Sequence, residues 1–150
     1  MDQNCVPHVT VAAVIEHDGR FLLVEELVDG KRCLNQPAGH WECDETLTEA
    51  VMRETREETA YNFSPEYLIG IYRWSPAPGK VYLRFAFGGR IFGHDPSQRL
   101  DEPVIAASWY KLDEIRAERE RHRTPMVLKC IDDYLANRRY PLLLLNELLQ

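Results

Sequence analysis

From Thr46 to Ala60 the chain carries a segment that reads as a helix with a divided face. Thr46 followed three residues later by Glu49 has the pattern of a capping box, so a helix start is predicted there. At 100° per residue, Leu47, Ala50 and Val51 fall on one narrow stripe, which needs a sheet to cover it. One turn further on, the stripe meets Glu54 and Glu58, with Glu57 beside them. Residues three and four apart on a helix are neighbours, so three carboxylates crowd a face that has just buried its apolar side chains. Like charges at that spacing repel by roughly a few tenths of a kcal/mol in water, and by more when partly buried. Two readings are open: a solvated acidic face balanced by Arg53 and Arg56, or a cation among the carboxylates. All-oxygen donors suit a hard ion such as magnesium, which keeps waters and bridges carboxylates to substrate phosphates.

Around this helix the pattern is that of a sheet protein. Val6–Ile15 is β-branched and apolar, and Arg20–Glu26 returns after the turn His17-Asp18-Gly19. A second turn is read at Val28–Lys31, and Leu34–Glu45, with Pro37 and Gly39, as a loop. Tyr67–Trp74, Val81–Ile91 and Val104–Tyr110 read as further strands. Leu112–Ile115 opens a charged helix, and a last helix follows Thr124-Pro125 to about Arg138. The expected architecture is a mixed sheet of about five or six strands with helices among them, an α/β or α+β sandwich, in one domain over residues 1–150.

Charge and cysteines narrow the partners. The chain has 18 Lys and Arg against 24 Asp and Glu, a net charge of −6. That argues against a nucleic-acid binder, whose affinity comes from clustered cations, and leaves a nucleotide substrate open. Cys5, Cys33, Cys43 and Cys130 form no CxxC pair, so no zinc site is expected and the thiols read as reduced, in a cytoplasmic protein. Met1–Cys5 lacks a basic leader, and the aliphatic run Leu142–Leu145 is too short to span a bilayer, so no membrane partner is expected. That run, with Leu148-Leu149, is expected to pack as a helix on the core, with a dimer surface as the alternative. The assembly is thus a monomer or a homodimer. Neither a Gly-x-Ser-x-Gly elbow nor a P-loop is present, which removes serine hydrolases and Walker-type kinases.

The decisive feature is spacing. Gly39 is followed by five residues and Glu45, then seven residues and Arg53-Glu54, then two residues and Glu57-Glu58. Over residues 39–61 this resembles the signature of the Nudix hydrolases, G-x5-E-x7-R-E-U-x-E-E-x-G-U, with U apolar. Six fixed positions match, an event of about 10⁻⁷ per register by chance. Thr55 stands where an apolar residue is usual. Ala60 replaces the second glycine, at a helix end where a left-handed residue is expected. His8–Ala12, Asn35–His40, Leu83–Phe85 and Arg139–Pro141 are similar to a phosphatase branch of the same family.

The resemblance implies an α/β/α sandwich with a mixed β-sheet, and metal-dependent cleavage of a diphosphate linked to another group. Carried over by position, Glu57 and Glu58 would bind the metal, Glu54 would be a ligand or the partner of the base, and the Gly39 carbonyl would join the shell. Arg53 would orient the glutamates, and Glu45 would hold the loop. Magnesium is the implied cofactor, with manganese as the alternative. The base would come from the helix or from the late loop, where Asp101 and Glu102 stand; Glu102 enters the catalytic set. Trp74 and Tyr72, beside Ser75–Gly79, are candidates to stack on a base, with core or rim packing as the other reading. Arg84, mid-strand, is a candidate for a phosphate contact. His40 and Trp41 read as supporting residues. The implied activity is release of orthophosphate from nucleoside di- and triphosphates and from thiamine-related diphosphates such as hydroxymethylpyrimidine diphosphate. The alternatives are a non-catalytic nucleotide-binding sensor on the same fold, or a pyrophosphatase of dinucleotides or sugar nucleotides.

Overall fold

The computed structural model describes residues 4–148. The strands are β1 (His8–Val14), β2 (Glu16–His17), β3 (Arg20–Val28), β4 (Lys31–Asn35), β5 (Ala38–His40), β6 (Tyr61–Ala77), β7 (Lys80–His94), β8 (Val104–Lys111) and β9 (Tyr140–Pro141). They divide into two sheets rather than one. The first has the order β5-β1-β7-β6-β9, with β1 and β7 parallel and the other pairs antiparallel, so it is mixed as expected. In the second, β3 pairs with β2, β4 and β8.

The helices cover the strands from two sides because β1 is apolar on both faces. Val11, Ala13 and Ile15 pack with Ala50 and Val51 of α1 (Leu47–Thr59) and with Phe63, Leu68 and Phe87. Val14 packs the other way, with Ile69, Ala86 and Leu23, against Ile115 of α2 (Leu112–Ala117) and Met126, Cys130 and Ile131 of α3 (Met126–Leu135). An unbroken apolar run is what a strand covered on both faces requires. The result is the α/β/α sandwich.

Three elements differ from the sequence reading. The stretch 34–45 is not all loop: it holds the end of β4 and the short β5, which sets Gly39 opposite Val11. Strands β6 and β7 run well past 67–74 and 81–91. The pairing register shifts between Pro65 and Tyr67 and between Trp74 and Ala77, so the prolines sit at irregularities where a missing N–H is tolerated. Residues Leu142–Leu144 form a single 3-10 turn, not a core helix. Leu142 and Leu145 pack against the α1-side core, while Leu143 and Leu144 are exposed. Met1–Gln3 and Leu149, on which other expectations rested, lie outside the described residues. Among those described, no helix is long and apolar enough to cross a membrane, and the four cysteines are free thiols.

Candidate active site

Helix α1 is pinned at both ends. The Thr46 side chain accepts from Glu49 N–H at 3.1 Å, and the Glu49 carboxylate accepts from Thr46 N–H at 2.7 Å. At the other end Ala60 adopts the left-handed conformation, φ 62°, and its N–H reaches the Arg56 carbonyl. Thr55 is fully buried in the place of an apolar residue because its hydroxyl donates to the Val51 carbonyl at 2.7 Å, so it brings no unpaired group into the core. The glutamates of the last two turns therefore have a fixed base.

Arg53 binds helix and loop together. Its Nε and Nη2 donate to the two oxygens of Glu45 at 2.9 and 2.6 Å, and Nη2 also reaches the His40 carbonyl at 3.0 Å. Its Nη1 donates to Glu54 at 2.8 Å and to Glu57 at 3.1 Å. A guanidinium fork suits this because its donors are planar and rigid. Arg53 holds the Glu45 carboxyl below the usual range, and Glu45 in turn raises the Arg53 guanidinium. Glu45 also accepts from Glu42 N–H, and its carbonyl receives the Trp41 indole, which folds the loop onto the helix.

Glu58 faces inward and is 6% exposed. Burial pushes its carboxyl up to about 9, against the opposing hydrogen bond from Ala38 N–H at 2.7 Å; Glu26, Glu54 and Glu57 add like charge. Glu54 is also raised, mainly by burial. Its carboxylate lies on Gly39, where a β-carbon would overlap it.

These groups open into a cleft of about 560 Å³, a size typical of small-ligand sites. The cleft brings together Gly39, Arg53, Glu54, Glu57 and Glu58 with Arg84, Trp74, Asp101 and Glu102. Asp101 is anchored by its N–H to the Glu57 carbonyl at 3.0 Å, whereas the Glu102 side chain is 88% exposed at the rim, 3.7 Å from Arg99. His40 also lines the cleft, and burial, with His8 nearby, lowers its imidazole. Arg84 is 3% exposed and paired with no carboxylate among the described residues. Its Nη1 and Nη2 donate to the neutral amides of Gln36 and Asn35 at 2.9 and 3.1 Å, and its Nε has no partner.

Tyr72 is not brought to the cleft. Its hydroxyl donates to Asp133 of α3 at 2.7 Å, and Tyr72 is not among the residues that line the cleft. Tyr72 and Trp74 share one face of β6, but α3 covers the Tyr72 end. Tyr82, directly opposite Trp74 with ring centroids 5.5 Å apart, lines the cleft beside it, and Lys80 lies 5.6 Å from the centre of its ring. Sequence reasoning missed Tyr82, Asn35, Arg123 and Glu26, all of which line the cleft. The tripeptide Val24-Glu25-Glu26 held one signal: two adjacent acids within an apolar strand place one of them on the inner face.

The donor set fits a hard divalent ion: carboxylates only, beside a glycine whose missing side chain makes room for Glu54. As placed, no three His, Cys, Asp or Glu side chains among the described residues converge closely enough to hold one ion. Arg53 draws Glu54 and Glu57 to itself, and Ala38 holds Glu58.

A family model for the NUDIX domain matches residues 6–129. The chain is 39% identical over 141 residues to "Phosphatase NudJ" of Escherichia coli (strain K12), covering 94% of this chain and 92% of that protein. Among solved structures, a NUDIX hydrolase from Nitrosomonas europaea is 50% identical, with a TM-score of 0.92 over 95% of this chain and 98% of that one. A MutT NUDIX hydrolase from Burkholderia pseudomallei, at 23% identity and a TM-score of 0.70 over 85% and 98%, shares the fold.

Proposed function

The chain belongs to the Nudix family of hydrolases, and from that premise we propose that it is a magnesium-dependent phosphatase of nucleoside di- and triphosphates and of related heteroaromatic diphosphates. One observation carries this reading. A buried guanidinium with an unpartnered Nε, Arg84, stands in the same cleft as the carboxylates that Arg53 gathers. A buried cation whose own hydrogen bonds all go to neutral amides is costly until an anion reaches it. A phosphate seated there would have its oxygens between Arg84 and the glutamate wall.

Glu57 and Glu58, with the Gly39 carbonyl, are the groups that would hold the divalent ion, once Glu57 turns from Arg53. When bound, the ion neutralises phosphate oxygens and makes a water nucleophilic near neutral pH. The remaining work falls to side chains. Arg84 binds the terminal phosphate, and Arg53 fixes Glu54 and the loop. Glu54, whose carboxyl burial raises, takes the proton of the attacking water. The water oxygen bonds to the terminal phosphorus. The bridging oxygen departs with the shortened substrate, and orthophosphate is released. Trp74 and Tyr82 form the wall against which a ring would stack.

The test is orthophosphate release from nucleoside di- and triphosphates, thiamine diphosphate, a dinucleotide and a sugar nucleotide, each with magnesium and then with chelator. Magnesium-dependent orthophosphate from the compounds with a terminal phosphate supports the reading. Turnover confined to dinucleotides or sugar nucleotides would replace it with a pyrophosphatase. Nucleotide binding without turnover would replace it with a sensor. Full turnover in a Glu57→Gln, Glu58→Gln double variant would overturn the ligand assignment.

A further inference from the structure

Glu26 is a cleft carboxylate that comes from neither the glutamate helix nor its flanking loops. It sits on β3 where the pairing with β8 slips between Glu25 and Glu26. Irregularities of this kind re-aim side chains beside binding sites. The two acids diverge there. Glu25 turns outward and forms ion pairs with Arg32 at 2.8 Å and Arg121 at 2.9 Å. Glu26 turns into the cleft and is 6% exposed.

The partners of Glu26 are few. Its ion-pair contact is with Arg123 Nη1, 3.7 Å away, and the Asn35 amide stands alongside. The Asn35 Oδ1 is already taken by Arg84 Nη2 at 3.1 Å, which leaves the amide nitrogen as the end free to face Glu26. A carboxylate has about four acceptor positions. One amide and one long ion pair leave acceptor capacity facing the cleft. A phosphate cannot supply a donor, since it brings only acceptors and more negative charge. An N–H on the non-phosphate part of the substrate can supply one, and Trp74 and Tyr82, along which that part would lie, line the same cleft as Glu26.

We propose that Glu26, oriented by Asn35, is a specificity residue that accepts a hydrogen bond from an exocyclic amine on the substrate's heteroaromatic ring. The inference rests on the phosphatase reading above. An amino group meets Glu26 as a donor. An oxo group in the same place turns lone pairs toward lone pairs, and a site built for a donor rejects the analogue that lacks one. The cleft should therefore favour amino-substituted rings over their oxo counterparts.

The experiment compares kcat/KM for cytidine against uridine diphosphate, and for adenosine against inosine diphosphate, in the wild type and in Glu26→Gln. Inorganic tripolyphosphate, which has no ring, reports any change in chemistry common to all substrates. The wild type is expected to prefer the amino member of each pair by about tenfold or more. A glutamine can turn its amide to donate to an oxo group, so Glu26→Gln should bring both ratios to within about threefold of unity. Absence of an amino preference in the wild type overturns the proposal. So does an equal fall on every substrate, tripolyphosphate included, with unchanged ratios, which would move Glu26 into the reaction machinery. If Glu26→Gln does not fold, Asn35→Ser, which releases the Glu26 carboxylate, should narrow the same ratios. If the wild type turns over nothing in the panel, the phosphatase reading has failed. The proposal is then decided by calorimetric Kd values for the same pairs, where it expects the same preference and the same loss.

Discussion

The carboxylate of Glu54 rests against the Cα of Gly39, in the volume that a β-carbon at position 39 would occupy. Gly39 is not among the residues with positive φ, so its backbone would accept alanine. What alanine would displace is Glu54, which Arg53 holds at 2.8 Å. Gly39→Ala should therefore fold, at a cost of about 1–3 kcal/mol for the overpacked contact. Orthophosphate release should fall by at least about tenfold, a barrier change of roughly 1.4 kcal/mol. A thermal melt and a kcat measurement on the same preparation check both parts. Wild-type turnover would show that Glu54 can work from another position.

The Arg53–Glu45 pair is a fork on a fork, with contacts of 2.9 and 2.6 Å and both side chains largely covered. A double-mutant cycle in urea, with Arg53→Ala and Glu45→Ala, should give a coupling above about 1 kcal/mol. Lysine keeps the charge but cannot hold both Glu45 oxygens together with the His40 carbonyl, so Arg53→Lys should lose about 1–3 kcal/mol. A coupling under about 0.5 kcal/mol would make this an ordinary surface pair.

The helix was legible in the sequence because its signals are local. Thr46 and Glu49 close on each other within one turn, and the stripe that ends in Glu54 and Glu58 has a helical period. The Glu-bearing face needed no knowledge of its partners. Other features depended on distant pairing. The strand β5 has three residues and exists because Val11 lies opposite Gly39. Nothing near Pro37 or Gly39 encodes that. Position along a strand was equally hidden: Tyr72 and Trp74 have the same parity, and only the reach of α3 removes Tyr72 from the cleft. Glu26 required the slip between β3 and β8, a property of two strands some eighty residues apart in sequence.

Ala60 is buried and left-handed, at φ 62°. That conformation costs a residue with a β-carbon about 1 kcal/mol or more. Ala60→Gly relieves the strain but frees the unfolded chain by about 0.4–1 kcal/mol. The net expectation is a gain of up to about 1 kcal/mol in urea unfolding. Ala60→Val adds a branched side chain in the same strained conformation, inside a packed site. It should lose more than about 1 kcal/mol. Equal stability of the three proteins would mean that the helix ends differently in solution.

The buried carboxyls give the metal-free protein a distinctive dependence on pH. Burial holds Glu58 at about 9 and raises Glu54 and Glu26, against an ordinary value of 4.5. The folded state then binds these protons more tightly than the unfolded state. The Glu58 contribution is complete below about pH 4.5 and is lost as pH rises through its folded value of about 9; Glu54 and Glu26 act in the same direction. Glu45 and Glu25 have the opposite sign, because Arg53 and Arg32 hold them low. Their contribution is present above about 4.5 and is lost as pH falls further. The two windows are separate, and between about pH 5 and 9 the buried carboxyls are opposed by His40, whose lowered imidazole gains stability as pH rises. Above the ordinary histidine range, from about pH 7 to 9 and in chelator, the urea midpoint should fall with pH, and Glu58→Gln should flatten the slope. Added magnesium should raise the midpoint most at the alkaline end, where a cation takes over the role of the proton. A flat wild-type profile from about pH 7 to 9 would mean that Glu58 is ionised throughout and that the folded cleft already carries its full negative charge.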